Sequence, residues 1–244
     1  MKKEYWYILI AYIVMQVSSL VGIPLVMYIG TIFGNTAEEM QALAIPIWLV
    51  SSFTITLLVV LFFLRGDMKA DLAPRDTASV SKSIVWAVAG IFLALMAQSI
   101  AANIEASLGI EMGSENTQEI IRIIDTFPIV ILVSSIIGPI LEEIVFRKII
   151  FGSLYKRFNF FLAALFSSII FAIAHFEPEH ILLYSAMGFT FAFLYVKTKR
   201  IIVPIFAHVA MNTLVVLVQS VFREDLERLI EEAERIQGFI GGFL

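Results

Sequence analysis

Long apolar stretches constrain this chain more than any other feature of its sequence. A helix needs about 20 mostly apolar residues to cross the hydrocarbon core of a bilayer. Seven stretches reach or approach that length, at residues 5–33, 43–64, 83–104, 128–156, 159–176, 180–196 and 201–221. Charged residues make up only 16% of the chain, whereas soluble domains carry about a quarter. We therefore predict an all-α, polytopic membrane helix bundle of seven to eight transmembrane helices.

Basic residues occur only in alternate connections between these stretches. They lie near the N-terminus and at 65–82, 148–157 and 197–200, whereas the connections at 38–39, 105–125 and 177–179 are acidic or neutral apart from Arg122. Cytoplasmic loops of membrane proteins carry an excess of Lys and Arg. The sequence therefore predicts an integral membrane protein with a cytoplasmic N-terminus.

Two further segments are too polar to cross a membrane. Residues 116–127 begin with Asn116 and carry Glu119 three positions later, a pattern typical of a helix N-terminus. The isoleucines that follow predict an amphipathic helix on the outer interface. Residues 222–237 mix charges at helical spacing and predict an amphipathic C-terminal helix beyond the last span. With no repeat or soluble domain, we expect residues 1–244 to form a single integral membrane domain.

Charge and cysteine content exclude several classes of function. The formal net charge is −4, so we expect no nucleic acid among the partners. The chain has no cysteine, and neither a disulfide framework nor a thiolate site can form. We predict no cleavable leader, because the apolar run after Lys2 and Lys3 is longer than a signal core.

Acidic residues in the middle of apolar sequence form the first candidate for chemistry. Glu142, Glu143 and Arg147 lie within the fourth stretch, where ionisable groups are costly and are functional candidates by default. Glu143 and Arg147 are four apart, share a helix face and can pair. Glu142 is rotated by about 100° and can face a cavity. The alternative is a charged cluster that ends the helix at the cytoplasmic face.

Two histidines within apolar sequence form the second and third candidates. His175 ends the segment Phe171-Ala-Ile-Ala-His175, and His208 shares a helix face with Asn212, four residues later. The structural alternatives are an interfacial, hydrogen-bonded histidine and polar contacts that hold helices together. His180 lies by the acidic EPEH loop, and we expect it at the surface.

A helical hairpin would bring these candidates together. If the fourth stretch turns near residues 158–159, Glu142 and His175 fall at the same depth, about 25 Å from the turn. His208 and Asn212 would lie about 12–18 Å deep, so tilt or a turn sunk into the protein must close the difference. A buried carboxylate beside a histidine can activate water, and a His–Asn pair can donate hydrogen bonds to an oxyanion. These residues therefore predict hydrolysis of an amide.

The three motifs resemble those of the CPBP family, the CAAX proteases and bacteriocin-processing or Abi-type proteins, which are intramembrane endopeptidases. The family pattern EExxxR, FxxxH and HxxxN is complete and in order within residues 128–215, which would be the catalytic core. The resemblance implies a bacterial cytoplasmic membrane, with the lipid bilayer and a membrane-associated or C-terminally hydrophobic peptide or protein substrate as partners.

The resemblance also implies a role for each motif residue. Glu142 and His175 would activate the hydrolytic water, and His208 and Asn212 would stabilise the oxyanion. Glu143 and Arg147 would shape the site.

Two other functions compete with an endopeptidase. A non-catalytic Abi-type bacteriocin-immunity or membrane scaffold protein would be expected to have lost a Glu or His of the motifs, and this chain has lost none. A transporter would show Gly- or Pro-broken helices in two related halves, and the prolines that interrupt these spans are not in repeated positions. We therefore favour the enzyme.

Zinc is the cofactor that the motif residues could bind. Glu142, His175 and His208 could hold it, with water as the fourth ligand. Asn212, however, is a poor zinc ligand and a good oxyanion donor, and Arg147 would repel a nearby cation. We predict that no metal or other cofactor takes part, and that Glu142 and His175 meet through one water.

Overall fold

The fold is helical throughout the part of the chain that the computed structural model describes, residues 1–70 and 77–222 together with Arg228. The helices are α1 (Lys3–Ile32), α2 (Ala37–Ala70), α3 (Val80–Ser107), α4 (Glu115–Thr126), α5 (residues 130–154), α6 (Phe160–Ile173), α7 (Ile181–Thr198) and α8 (Ile202–Val221). The predicted all-α class is confirmed. The predicted C-terminal helix at 222–237 lies outside the described residues, apart from Phe222 and Arg228.

Five of these helices are long and apolar enough to cross a membrane, namely α1, α2, α3, α7 and α8 within the described ranges. The other two predicted spans correspond to α5, which changes its helical type along its length, and to α6, which has 14 residues. Large apolar side chains point outward from the long helices, as at Leu20 (78% exposed) and Phe92 (68% exposed). Such a surface suits lipid rather than water, and the predicted membrane bundle is confirmed.

Helix α5 is not a regular α-helix. Residues Val133–Ile137 and Glu143–Phe151 are π-helical, and the short stretch Gly138–Glu142 between them is α-helical. A π-helix bonds each N–H to the carbonyl five residues back and is frequently found at functional sites. The apolar pattern at 128–156 predicted a helix but contained no indication of its type.

The bundle is built around α5. This helix packs against α1, α2, α6, α7 and α8, and its side chains Leu141 and Phe146 lie in the main core with Phe171 of α6 and Phe191 of α7. Small residues allow close approach elsewhere, as membrane helices commonly require. A Cβ at Gly22 of α1, for example, would overlap the indole of Trp48 in α2.

The connections that carry basic residues meet at one end of the bundle. Lys2 forms an ion pair with Asp67 at the end of α2. The turn between α7 and α8 packs on the start of α3, where the Ala78 N–H donates to the Thr198 carbonyl (3.0 Å) and Arg200 Nε donates to the Ala78 carbonyl (2.8 Å). Thr198 is completely buried, so this side chain anchors the turn to the bundle.

The acidic connections meet at the opposite end, and here two predictions were wrong. His180 is buried rather than at the surface (5% exposed), with Nδ1 2.9 Å from Glu105 Oε2 and Nε2 3.0 Å from the Gly113 carbonyl. Helix α4 exists as predicted, but its N-cap is Ser114 rather than Asn116, because the Ser114 hydroxyl accepts from a backbone N–H of the first turn. The burial of His180 arises from contacts with residues that are distant in sequence, whereas the Ser114 cap is a local contact.

Candidate active site

Glu143 and Arg147 form a completely buried ion pair in the second π-helical segment. Both side chains are 0% exposed, and Arg147 Nε lies 3.2 Å from Glu143 Oε2. The guanidinium carbon lies 4.3 Å from the ring centroid of Phe171 and 5.5 Å from that of Phe191, within cation–π range. The two terminal nitrogens of Arg147 make no hydrogen bond to the described residues. The pair therefore neutralises one of the two adjacent carboxylates and fixes the charge of the site.

His208 of α8 is buried against this ion pair. Its Nδ1 lies 2.9 Å from Glu143 Oε1, and its ring stacks on Phe191 with centroids 4.5 Å apart. Because an ionised carboxylate can only accept, Nδ1 carries the hydrogen. Its other nitrogen, Nε2, lies 3.8 Å from Glu142 Oε2. His208 thus bridges the two adjacent glutamates.

Glu142 is the partly exposed member of the acidic pair. Its side chain is 19% exposed, whereas that of Glu143 is 0% exposed. It lies at the junction between the α-helical and π-helical parts of α5, where the helix turns Glu143 inward toward Arg147. The two carboxylates therefore occupy different environments although they are adjacent in sequence.

The charged groups of this cluster do not cancel one another. Two carboxylates, those of Glu142 and Glu143, accompany one guanidinium, that of Arg147. His208 Nε2 lies 3.8 Å from Glu142 Oε2, within the range at which two such groups interact electrostatically. Glu142 and His208 are therefore close enough to act on the same bound molecule.

His175 lies beyond the end of its helix, not inside a span as predicted for 159–176. Helix α6 ends at Ile173, and the chain leaves it through Phe176, whose φ of 59° is left-handed. A left-handed residue just after a helix is a common way to end it. The imidazole is therefore held by a turn.

The four-residue spacing of the FxxxH motif lets the His175 side chain bind the backbone carbonyl of Phe171. The His175 N–H bonds to the Ala172 carbonyl (3.1 Å), which leaves the Phe171 carbonyl without its usual partner four residues on. His175 Nδ1 lies 2.8 Å from that carbonyl and donates to it. Nε2 is then the acceptor nitrogen of the ring, and Glu142 lies close enough for its charge to act on the imidazole.

One phenyl ring connects the motif residues. Phe171 is completely buried and lies 4.6 Å from the His175 ring and 6.2 Å from the His208 ring, between centroids. The Arg147 guanidinium lies over the same ring. The structure thus brings the three motifs to one place.

Asn212 binds a backbone carbonyl of α5 that lacks its usual partner within the helix. In the first π-helical segment the Gly138 N–H bonds to the Val133 carbonyl, so the next bond would run from residue 139 to Ser134. Pro139 has no N–H to offer. Asn212 Nδ2 donates to the Ser134 carbonyl instead, at 3.3 Å. This bond is a polar contact between helices, which was the structural alternative for Asn212. The amide keeps a second N–H hydrogen for another acceptor.

Three aromatic residues near the site were not predicted from the sequence, namely Tyr12, Tyr184 and Phe191. Tyr12 of α1 packs edge-on against Phe146, and the charges of Glu142 and Arg147 act on its hydroxyl. Tyr184 of α7 stacks on His175. A tyrosine within an apolar helix needs a partner for its hydroxyl when it is buried, and this is the signal that could have identified both tyrosines.

The donor set fits a metal ion poorly as it is arranged. Zinc would need Glu142, His175 and His208 around one point. In the described part of the chain, no three His, Asp or Glu side chains come together in a way that could hold an ion. His208 Nδ1 is already bound to Glu143, which leaves Nε2 alone for a metal. Independence of metal stays a prediction, and no step below uses a metal.

Known proteins match the chain over its motifs and over its whole length. The family described as type II CAAX prenyl endopeptidase Rce1-like matches residues 124–214. The candidate membrane peptidase YdiL of Bacillus subtilis (strain 168) is 51% identical over 244 residues, 99% of each chain. The membrane-embedded CAAX protease MroQ of Staphylococcus aureus (strain USA300) is 34% identical over 221 residues, 88% of this chain and 87% of that one. No solved structure matches.

These matches have a clear consequence for identity. The range 124–214 contains every residue of the three motifs. The match to YdiL also includes the N-terminal helices, which carry no motif. The chain therefore belongs to the Rce1-like family of CAAX proteases and is a membrane peptidase.

Proposed function

We propose that this peptidase is an endopeptidase that cuts membrane-associated or C-terminally hydrophobic substrates with a water activated by Glu142 and His175. One observation carries the proposal. Glu142 is partly exposed, yet it lies 3.8 Å from His208 Nε2 at the edge of a cluster whose other charges are buried. A carboxylate that can reach both water and a buried histidine is suited to general-base catalysis.

The proposed reaction starts with a water between Glu142 and His175 Nε2. Glu142 takes one proton from this water. His175 Nε2 accepts a hydrogen bond from the other O–H and so orients the water. The hydroxide oxygen attacks the scissile carbonyl carbon, and the carbonyl oxygen becomes an oxyanion. Glu142 then passes the proton to the leaving amine, and the C–N bond breaks.

Stabilisation of the oxyanion requires donors, and one protonation state of the cluster supplies them. In the proposed state, Glu142 is ionised and acts as the base, and His208 carries a hydrogen on Nε2 as well as on Nδ1. That N–H and the second N–H hydrogen of Asn212 are the proposed donors to the oxyanion. Base and oxyanion donor are therefore ready in the same state, which supports these roles for Glu142 and His208.

The class of substrate follows from where the site lies. Its residues are on helices of a membrane bundle, so a substrate must approach through the bilayer or its interface. The relative MroQ is named as a membrane-embedded CAAX protease. We propose that this chain takes membrane-associated or C-terminally hydrophobic peptides, and nothing in its residues requires a prenyl group.

Comparison of protein termini in cells tests the proposal. Membranes from cells with the wild-type protein, Glu142→Ala or the exposed control Glu179→Ala would be analysed for new N- and C-termini. Wild type and Glu179→Ala should share a set of termini that Glu142→Ala lacks, because loss of a general base commonly costs about 10²–10⁴-fold in rate. Near-normal cleavage of a verified substrate by folded Glu142→Ala would refute the assigned base.

A further inference from the structure

Tyr184 covers one face of His175. The two rings are stacked at an interplanar angle of 26°, with centroids 3.9 Å apart. Phe171 meets the same imidazole at 71° from another side. His175 lies in a turn rather than a helix, so these two rings and the bond from Nδ1 to the Phe171 carbonyl set its orientation.

Tyr184 is itself fixed by a buried carboxylate. Its hydroxyl donates to Glu177 Oε2 and lies 3.1 Å from the Ser114 hydroxyl. Glu177 is 7% exposed and also accepts from the Ser114 hydroxyl (2.8 Å) and from the Asn116 N–H (2.9 Å). The carboxylate thus holds the first turn of α4 and the tyrosine together. The hydrogen bond to Glu177 therefore leaves Tyr184 little freedom to move away from His175.

We propose that Tyr184 is a positioning residue for His175. Its ring, fixed through Glu177, keeps the imidazole in the orientation in which Nδ1–H bonds to Phe171 and Nε2 faces the site. Without the ring, the imidazole can turn about its side-chain bonds, and Nε2 no longer points consistently at the water. The effect on rate rests on the proposed function, whereas the effect on the ring orientation does not.

Nuclear magnetic resonance of the histidines tests the orientation without a substrate. The chain has three histidines, so protein labelled at histidine and held in micelles gives three sets of imidazole signals. The variants His180→Gln and His208→Gln each remove one set, and the remaining set belongs to His175. Stacking on Tyr184 should shift the ring protons of His175 upfield. The nitrogen signals of His175 should show a hydrogen on Nδ1. Contacts between the rings of Tyr184 and His175 should appear as nuclear Overhauser effects in the wild type.

Three variants separate the ring of Tyr184 from other contributions. Tyr184→Leu should abolish the upfield shift and mix the two tautomers of His175, whereas Tyr184→Phe keeps a ring in place and should preserve both. Tyr28→Leu, at an exposed tyrosine of α1, should change nothing. An unchanged His175 signal in Tyr184→Leu, or no contact between the rings in the wild type, would overturn the proposal.

Kinetics then test whether the orientation matters for hydrolysis. On a peptide taken from the terminus comparison, Tyr184→Leu should lower kcat by about 10- to 100-fold and leave KM within about twofold, because misplacement by about 1 Å can cost that much. Tyr184→Phe should recover most of kcat. A lost ring orientation with an unchanged kcat would refute the positioning role, whereas cleavage that is independent of Glu142 would refute only the proposed mechanism.

Discussion

Adjacent glutamates in this protein have different surroundings, and the difference comes from the residues that contact them. Glu143 is completely buried between Arg147 and His208, with Oε1 hydrogen-bonded to His208 and Oε2 in ion-pair range of Arg147. Among the described residues, Glu142 makes no such ion pair with arginine, and its side chain is partly exposed. The sequence predicted this division from one fact, the four-residue spacing that lets Glu143 reach Arg147.

Loss of the arginine should damage the fold as well as the activity. Arg147→Met leaves Glu143 buried without its cation, which commonly costs about 3–5 kcal/mol of unfolding free energy. Chemical denaturation in micelles would measure this loss. The double variant Glu143→Gln/Arg147→Met removes the stranded charge and should recover part of the stability. If it is no more stable than Arg147→Met, the ion pair is not the cause.

Metal dependence is decided by the same small set of residues. We expect purified, active protein to contain no stoichiometric zinc and to keep its activity in the presence of a chelator, since the arranged ligands do not surround one point. Elemental analysis of the sample used for the peptide assay provides the measurement. Activity that disappears with the chelator and returns with zinc would contradict the expectation.

At the level of helices, spacing predicted where the motifs would meet but not how the backbone allows it. The turn expected near residues 158–159 is present, because Asn159 caps α6 through its side chain. The π-helical segments of α5 and the early end of α6 at Ile173 were not predictable from apolar periodicity, which is similar for α and π geometry over so few residues.

The attachment of α4 should depend on pH. Burial raises the pKa of Glu177, but bonds from the Asn116 N–H and the hydroxyls of Tyr184 and Ser114 lower it more, so its pKa lies below the ordinary value of 4.5. A depressed pKa stabilises the folded state above the unfolded pKa, and this stability is lost as the pH falls through the folded pKa.

Thermal unfolding as a function of pH would measure that contribution. Wild type should be more stable than Glu177→Gln at pH values above about 5, and the difference should shrink as the solution is acidified further. The exposed neighbour Glu179 provides the control, and Glu179→Gln should follow the wild type. A constant difference between wild type and Glu177→Gln at all pH values would show that ionisation of Glu177 is not involved.

For the whole molecule, charge distribution predicted which connections share an end. Contacts between Ala78 and Thr198 at one end, and between Asn116 and Glu177 at the other, agree with the alternation of basic and acidic loops. The burial of His180 could not be predicted in this way, because it depends on Glu105 and Gly113, more than sixty residues earlier in the chain.

Orientation in the membrane follows from the same alternation. We expect the end with Lys82 to be cytoplasmic and the end with Glu38 to be external. The chain has no cysteine, so single cysteines placed at these two exposed positions can be labelled without background. An impermeant thiol reagent added to intact cells should label Glu38→Cys and spare Lys82→Cys. The reverse pattern would invert the topology.

The missing N–H of Pro139 links two positions that are distant in sequence. Asn212 is oriented because its amide satisfies the carbonyl that this proline leaves open at Ser134. Any other residue at 139 could supply the backbone donor and compete with Asn212 for that carbonyl. A change at 139 is therefore expected to alter the position of Asn212 without touching any motif side chain.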